Sequence, residues 1–173
     1  MKLTSIILIA FFLCSCAPIR VTYDFEKGTD FSKYKTYNYY SDMKTGLSEL
    51  DTKRFLESLD AKLETLGITF SETPDFYIDI KSNEYKSPQR NTVGVGLGTG
   101  GRNVGGGISI GLPIGQANVN RQIIIDFVDE NGKGLFWEAL SESSYTPNAS
   151  PQNRSEQLNA IVEKILSQYP PKP

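Results

Sequence analysis

The side chains that could do chemistry in this chain are its carboxylates, lysines, tyrosines and two cysteines, because histidine is absent from all 173 residues. Hydrolases that pair histidine with a serine or cysteine are therefore excluded, as are zinc sites with histidine ligands. No segment carries the spaced acidic and amide residues of a calcium-binding loop. We therefore expect no metal site, no cofactor and no identifiable catalytic residue.

The two cysteines lie at the end of an N-terminal pattern that indicates a covalent modification. A basic Lys2 is followed by an apolar run over residues 6–13, and then by Cys14, Ser15 and Cys16. The run is less than half of the roughly 20 apolar residues needed to cross a hydrocarbon core, so it is not a stable membrane span. The pattern is typical of a bacterial lipoprotein signal peptide, which is cleaved before a cysteine that becomes lipidated.

This pattern predicts the organisation of the chain: a signal peptide over residues 1–15, a lipidated anchor and linker over residues 16–20, and one domain over residues 21–173. Cys16 is the expected lipidation site, because small Ser15 precedes it, whereas bulky Leu13 precedes Cys14. Ala17 follows the anchor, and the absence of aspartate there resembles the rule for export to the outer membrane. We expect a lipid-anchored, periplasm-facing domain in the outer membrane.

Composition sets limits on partners. The chain has 18 basic and 20 acidic residues, a formal net charge of −2, and no run of lysine or arginine that would suggest a nucleic-acid partner. The expected partners are the membrane, through the N-terminal lipid, and an envelope protein or peptidoglycan.

Hydrophobic periodicity predicts an α+β domain with a largely antiparallel sheet packed against two amphipathic helices. Ser48 and Ser150 are the predicted N-caps of the two helices, and Gly67 is the predicted stop after the first. A tight turn at Asn131 and Gly132 joins the last two strands. Strand patterns cover residues 20–25, 36–40, 75–84, 121–128 and 135–143.

A glycine-rich stretch over residues 93–115 contains a literal G-x-G-x-x-G at residues 96–101. That motif binds dinucleotides only where it follows a strand and opens a helix, and here more glycines and a strand-like run follow it. We interpret the stretch as a glycine-rich hairpin that pairs residues 93–97 with residues 108–112. Its tip includes Gly100 and Gly101.

Two sets of residues could form a site. The first is a binding surface of tyrosines expected to be exposed, Tyr37, Tyr39 and Tyr40, with the glycine-rich tip. The second is a set of acids on strands near apolar residues: Asp24, Asp126 and Glu138. Two carboxyl groups about 5–9.5 Å apart in a cleft can hydrolyse glycans. Their strand positions favour acids that face solvent and not a catalytic cleft. A carboxylate-based enzyme acting on an envelope glycan is therefore the alternative function and not the leading one.

An ordered set of segments resembles the bacterial lipoprotein family called domain of unknown function 4136. The segments are VTYD at 21–24, DFSKYKT at 30–36, PDF at 74–76, the strand at 124–128, GLFW at 134–137 and the C-terminal helix through YPP at 169–171. The resemblance covers nearly all of the chain after the signal peptide. It implies the class and the location, and the family offers no established activity. The expected function is therefore a non-enzymatic binding or adaptor domain.

Overall fold

The computed structural model describes residues 18–86 and 119–172. The elements in these ranges are β1 (Arg20–Phe25), β2 (Thr36–Tyr39), α1 (Glu49–Thr65), β3 (Thr69–Phe70), β4 (Phe76–Lys86), β5 (Val119–Asp129), β6 (Gly134–Tyr145) and α2 (Pro151–Leu166), with a short 3-10 turn between β1 and β2. The strands form one sheet in the order β1-β6-β5-β4-β2-β3. The α+β class is therefore confirmed.

Both helices begin at the predicted caps. The Ser48 hydroxyl accepts a hydrogen bond from the Asp51 backbone N–H at 3.2 Å, and the Ser150 hydroxyl accepts one from the Asn153 N–H at 3.2 Å. Each cap satisfies an amide that the first helical turn leaves without a partner. Gly67 follows α1 with a φ of +76°, a backbone conformation that glycine adopts without steric cost.

The core lies between the helices and one face of the sheet. Because side chains alternate along a strand, every second residue of β4 and β5 faces the helices. The residues that share this buried side are Phe76, Ile78, Ile80, Ile123, Ile125 and Phe127. The apolar stripe of α2 is also buried, as predicted, at Leu158, Ile161, Val162, Ile165 and Leu166.

The sheet is mixed, although most of its pairs are antiparallel as predicted. Strand β2 runs parallel to both β4 and β3, and the two-residue strand β3 was missing from the sequence prediction because it is too short to show alternation. The predicted glycine-rich hairpin over residues 93–115 lies outside the described residues.

The turn between β5 and β6 differs from the prediction. Gly134, with a φ of +73°, takes the left-handed conformation that we expected near Gly132. The register of the two strands also shifts between Phe127 and Val128. This irregularity lets the consecutive Phe136 and Trp137 both be fully buried, which strict alternation does not allow.

Candidate functional site

The two faces of the sheet are covered unequally. Both described helices pack on the face that bears the core, and neither packs on the opposite face, which we call the open face. The open face carries the outward side chains of four neighbouring strands and of Tyr40, which directly follows β2. They include Thr22, Asp24, Tyr40, Tyr77, Asp79, Lys81, Ile124, Asp126, Glu138 and Leu140.

Four acids form a row across the open face, which we call the carboxylate row. The strand register places Asp24 opposite Glu138, Glu138 opposite Asp126, and Asp126 opposite Asp79. Side chains that are directly opposite in a sheet have Cβ atoms about 4.5–5.5 Å apart. The fold therefore brings together the three acids that the sequence singled out and adds Asp79, whose place opposite Asp126 depends on the register.

One cation lies within the carboxylate row. Lys81 Nζ is 2.8 Å from Asp79 Oδ2 and 3.1 Å from Asp126 Oδ2, and these contacts raise the pKa of Lys81. The other oxygen of Asp126, Oδ1, is buried and has no hydrogen-bond donor among the described residues. Lys81 therefore compensates the negative charge at the Asp79 end of the row. Asp126 Oδ1, in the middle of the row, remains a hydrogen-bond acceptor without a donor among the described residues.

Glu138 lies between Asp24 and Asp126 and forms no ion pair among the described residues. Partial burial raises the pKa of Glu138, the negative charges of Asp126 and Asp24 and a hydrogen bond with the Asp126 carboxyl raise it further, and the charge of Lys81 offsets part of this. Burial and the neighbouring negative charges make the ionised carboxylate less favourable than it would be in water. The negative charge of Glu138 is therefore poorly compensated within the row.

This pKa shift predicts a pH-dependent effect of Glu138→Gln. Because the folded chain binds the Glu138 proton more tightly than the unfolded chain, stability falls as the pH rises through the raised pKa. At pH 7 the variant should be more stable than wild type by about 0.2–1 kcal/mol, and this advantage should disappear below the ordinary glutamate pKa.

Urea unfolding of wild type and variant at several pH values measures the difference, with Glu57→Gln on the exposed surface of α1 as the control. A Glu138→Gln variant that is less stable than wild type at pH 7 would contradict the assigned repulsion.

Aromatic side chains lie beside the row. Tyr40 and Tyr77 stack with ring centroids 5.1 Å apart and an interplanar angle of 25°, and Tyr77 is two residues before Asp79 on the same face of β4. Burial and a hydrogen bond to Glu130 raise the pKa of Tyr40 to about 12. Tyr40 therefore remains a neutral phenol that contributes an aromatic surface to the open face.

The other two predicted tyrosines lie under α1 and not on an exposed surface. Tyr37 is only 2% exposed and Tyr39 is half-buried. Both hydroxyls donate to the same oxygen, Asp60 Oδ1, at 2.5 Å, and burial together with this acceptor raises both pKa values. The expected exposure of Tyr37 is therefore wrong: these side chains join β2 to α1. Gly100 and Gly101 lie outside the described residues.

A shallow hollow of about 170 Å³ lies beside Asp24 and Glu138, next to the edge of the sheet. Larger hollows among the described residues, of about 360 Å³ and 410 Å³, lie elsewhere: the first is lined in part by Arg20 and Glu142, and the second by Tyr37 and Asp60. Small-molecule sites usually enclose about 300–1,000 Å³.

Within residues 18–86 and 119–172, no three acidic, cysteine or histidine side chains are arranged to hold a metal ion. In the same ranges, no helix has the length and apolarity required to cross a membrane.

Comparisons with solved structures identify the fold. A PDZ domain protein from Parabacteroides distasonis ATCC 8503 superposes with a TM-score of 0.57 at 17% identity, over 96% of this chain. This chain corresponds to 40% of the length of that protein. The PelC dodecamer from Paraburkholderia phytofirmans gives a TM-score of 0.45 at 10% identity, over 87% of this chain and 96% of that one. At 17% identity, the similarity to the PDZ domain protein concerns the fold alone.

No curated protein sequence matches this chain significantly. The family described as Domain of unknown function (DUF4136) matches residues 21–171, which is nearly the whole domain predicted from the sequence. The matched residues include nearly all of the strands and helices described above. The chain belongs to the DUF4136 family.

Proposed function

We propose that this chain is a lipid-anchored protein of the bacterial outer membrane that binds, without catalysis, a basic segment of another envelope protein on its open face. The observation that most directly supports this proposal is the carboxylate row, which crosses four neighbouring strands beside a single lysine. A partner that carries lysine or arginine would supply the charge that the row lacks.

Electrostatic repulsion within the carboxylate row favours a cationic partner over a neutral one. Like charges directly opposite each other in a sheet destabilise the fold, and here three successive pairs are of this kind. Lysine or arginine side chains from a partner would convert this repulsion into attraction and would donate to the unpaired oxygen of Asp126. The stacked Tyr40 and Tyr77 add an aromatic surface against which the stem of a long basic side chain can pack.

The lipid anchor would hold this face close to the membrane. Residues from Cys16 to Arg20 span at most about 14 Å when fully extended, so a lipid on Cys16 keeps the start of β1 near the bilayer surface. Asp24, at the edge of the carboxylate row, lies one short strand further on. A partner that binds the row is therefore recruited to the periplasmic surface of the outer membrane.

A double variant tests the binding surface. The lipidated chain is purified in a neutral detergent, and its binding to fluorescein-labelled hexalysine is measured by fluorescence anisotropy at two salt concentrations. Asp126→Asn combined with Glu138→Gln should weaken binding roughly tenfold, because it removes two partly buried charges from the centre of the row. The control, Glu57→Gln with Glu156→Gln, changes the net charge equally on the helix surfaces and should change affinity less than about twofold.

Equal effects of the two double variants would show that the peptide responds to net charge alone, and would overturn the proposed surface.

The alternative, a carboxylate enzyme, is supported by the spacing of neighbouring strands, which can place carboxyl groups at a catalytic separation. The shallow hollow beside Asp24 and Glu138 argues against it. Release of reducing sugar from purified peptidoglycan, abolished in the Asp126→Asn/Glu138→Gln variant, would support the enzyme and contradict the binding role.

A further inference from the structure

Among residues 18–86 and 119–172, strand β1 lies at one edge of the sheet and pairs with β6 alone. The backbone N–H of Glu26 donates to the Phe136 carbonyl at 3.0 Å in the same register, which identifies these two as a hydrogen-bonded pair of the ladder. Because such pairs alternate in an antiparallel ladder, the backbone groups of Val21, Tyr23 and Phe25 point away from the sheet. The Phe25 N–H agrees with this direction, since its acceptor is the Asp24 side chain at 2.8 Å.

This edge lacks most of the features that prevent strands from associating. Natural edge strands are usually blunted by proline, by a bulge, by lysine side chains or by a covering element. No residue from Arg20 to Phe25 is proline or lysine, and the pairing with β6 has no irregularity. Tyr23 and Phe25 are each 42% exposed and stack on each other with ring centroids 6.5 Å apart. The edge therefore combines free backbone groups with exposed aromatic surface.

The side chains of β1 match those of a second copy of the strand that runs antiparallel to it. Around Thr22, residues at equal distances on either side form matched pairs: Val21 with Tyr23, Arg20 with Asp24, and Ile19 with Phe25. The first and third pairs are apolar and lie on the helix side of the sheet, whereas Arg20 and Asp24 share the open face with Thr22. An antiparallel copy centred on Thr22 therefore meets an apolar residue, or the opposite charge, at each of these positions.

We propose that two copies of this chain associate through β1, in an antiparallel pair with its two-fold axis at Thr22, to form one continuous sheet. In this register Val21 and Tyr23 are opposite each other across the interface. Their backbone groups are the ones that point outward, so each such pair exchanges both N–H···O bonds. Arg20 of each copy pairs with Asp24 of the other. A register shifted by one residue would place inward-pointing backbone groups opposite outward ones, whereas registers centred on Val21 or Tyr23 would keep the backbone bonds. The register centred on Thr22 is the one that places Arg20 opposite Asp24 and Ile19 opposite Phe25.

Disulfide trapping in the native membrane tests the register. At the two-fold axis the two Thr22 residues form a non-hydrogen-bonded pair with Cα atoms about 4.5 Å apart, within the range that a disulfide spans. Thr22→Cys should therefore give a disulfide-linked dimer on a non-reducing gel after mild oxidation. The matched control is Glu26→Cys, an exposed residue directly after the strand, whose two copies would be about 26 Å apart. The Thr22→Cys dimer should exceed the Glu26→Cys dimer roughly tenfold.

Charge reversal tests the pairing of Arg20 with Asp24. In the Thr22→Cys background, Arg20→Asp or Asp24→Arg places like charges opposite each other twice across the axis, and each should reduce the dimer roughly tenfold. The combined variant Arg20→Asp/Asp24→Arg restores complementarity and should restore the dimer. Mixing the two single-reversal chains, with different tags, should give a mixed dimer although neither chain dimerises alone.

The folded state of every variant is checked by the fluorescence of buried Trp137, which lies on the adjacent strand. Equal trapping of Thr22→Cys and Glu26→Cys would overturn the proposed register. Failure of the combined reversal to restore the dimer, in chains whose Trp137 emission is unchanged, would overturn the charge pairing and the proposed interface with it.

Discussion

Asp51→Ala is expected to destabilise the domain by about 3–5 kcal/mol, because it removes the buried carboxylate shared by the buried Arg121 and the partly buried Arg54 and Arg154. Asp51 is 1% exposed, in the first turn of α1. Its Oδ1 is 2.8 Å from Arg54 Nη1, and its Oδ2 is 2.7 Å from Arg154 Nη1 and 4.0 Å from Arg121 Nη1. One carboxylate therefore joins α1, α2 and β5.

The remaining arginines have few other ways to compensate their charge. Arg121 is 6% exposed, with Glu84 at 2.6 Å as its second acid and the ring of Tyr145 under its guanidinium at 3.6 Å. Arg154 also donates to the carbonyls of Ala149 and Pro147, just before α2. Removing Asp51 would thus leave Arg154 without an acidic partner among the described residues and Arg121 with Glu84 alone, and would remove the ionic contact between the N-terminal ends of the two helices.

Urea unfolding with a fluorescence readout measures this effect as a lower midpoint at an unchanged slope. Asp51→Asn keeps the size of the side chain and removes only its charge, so it should be nearly as destabilising as Asp51→Ala. Lys53→Ala, on the exposed side of the same helix, should change stability by less than about 0.5 kcal/mol. A loss below 1 kcal/mol for both Asp51 variants would mean that the network contributes little to stability.

Cys16→Ala is expected to abolish lipidation and the stable membrane attachment proposed for this chain. Each methylene of an acyl chain contributes about 0.8 kcal/mol to membrane binding, so several chains on one cysteine anchor a protein almost permanently. Wild type should incorporate labelled palmitate and remain with the outer membrane after washing at high salt, whereas Cys16→Ala should incorporate none.

Cys14→Ala is the matched control, since it removes the neighbouring thiol and keeps Ser15 before Cys16. It should be lipidated as wild type is. Loss of labelling in Cys14→Ala with retention in Cys16→Ala would move the anchor by two residues. Absence of labelling in wild type would contradict the lipoprotein assignment, while the binding experiment on the open face would still test that surface independently.

The two proposed surfaces are compatible in one assembly. Pairing of β1 with a second copy about an axis normal to the sheet places both open faces on the same side. Asp24 would then be compensated by Arg20 of the second copy, while Glu138 and Asp126 at the centre of the row remain available to a basic partner. The Asp126→Asn/Glu138→Gln variant should for this reason weaken peptide binding without reducing the Thr22→Cys dimer.

Local patterns were sufficient for most of the elements. The serine caps of α1 and α2, the alternation of β4 and the pairing of β5 with β6 each depend on neighbours that are close in sequence or joined by a short turn. The positive φ predicted near Gly132 was placed incorrectly, since Gly134 adopts it. The register shift after Phe127, which adds a residue to one strand, could not be seen in the local pattern. Strand β3 could not be predicted from two residues, since it exists only where β2 provides a parallel partner.

The sequence by itself determined the α+β class, the helix caps and the family, and it predicts a lipid anchor at Cys16. It also identified Asp24, Asp126 and Glu138 as candidate acids. Only the tertiary structure decided that these acids and Asp79 form one row, because strand order and register depend on contacts between distant residues such as Asp24 and Glu138, which are 114 positions apart. The same fold placed Tyr37 and Tyr39 under α1 and, within the part of the chain that the structure describes, left β1 at the edge of the sheet. Exposure of a strand residue depends on what the whole fold packs against each face.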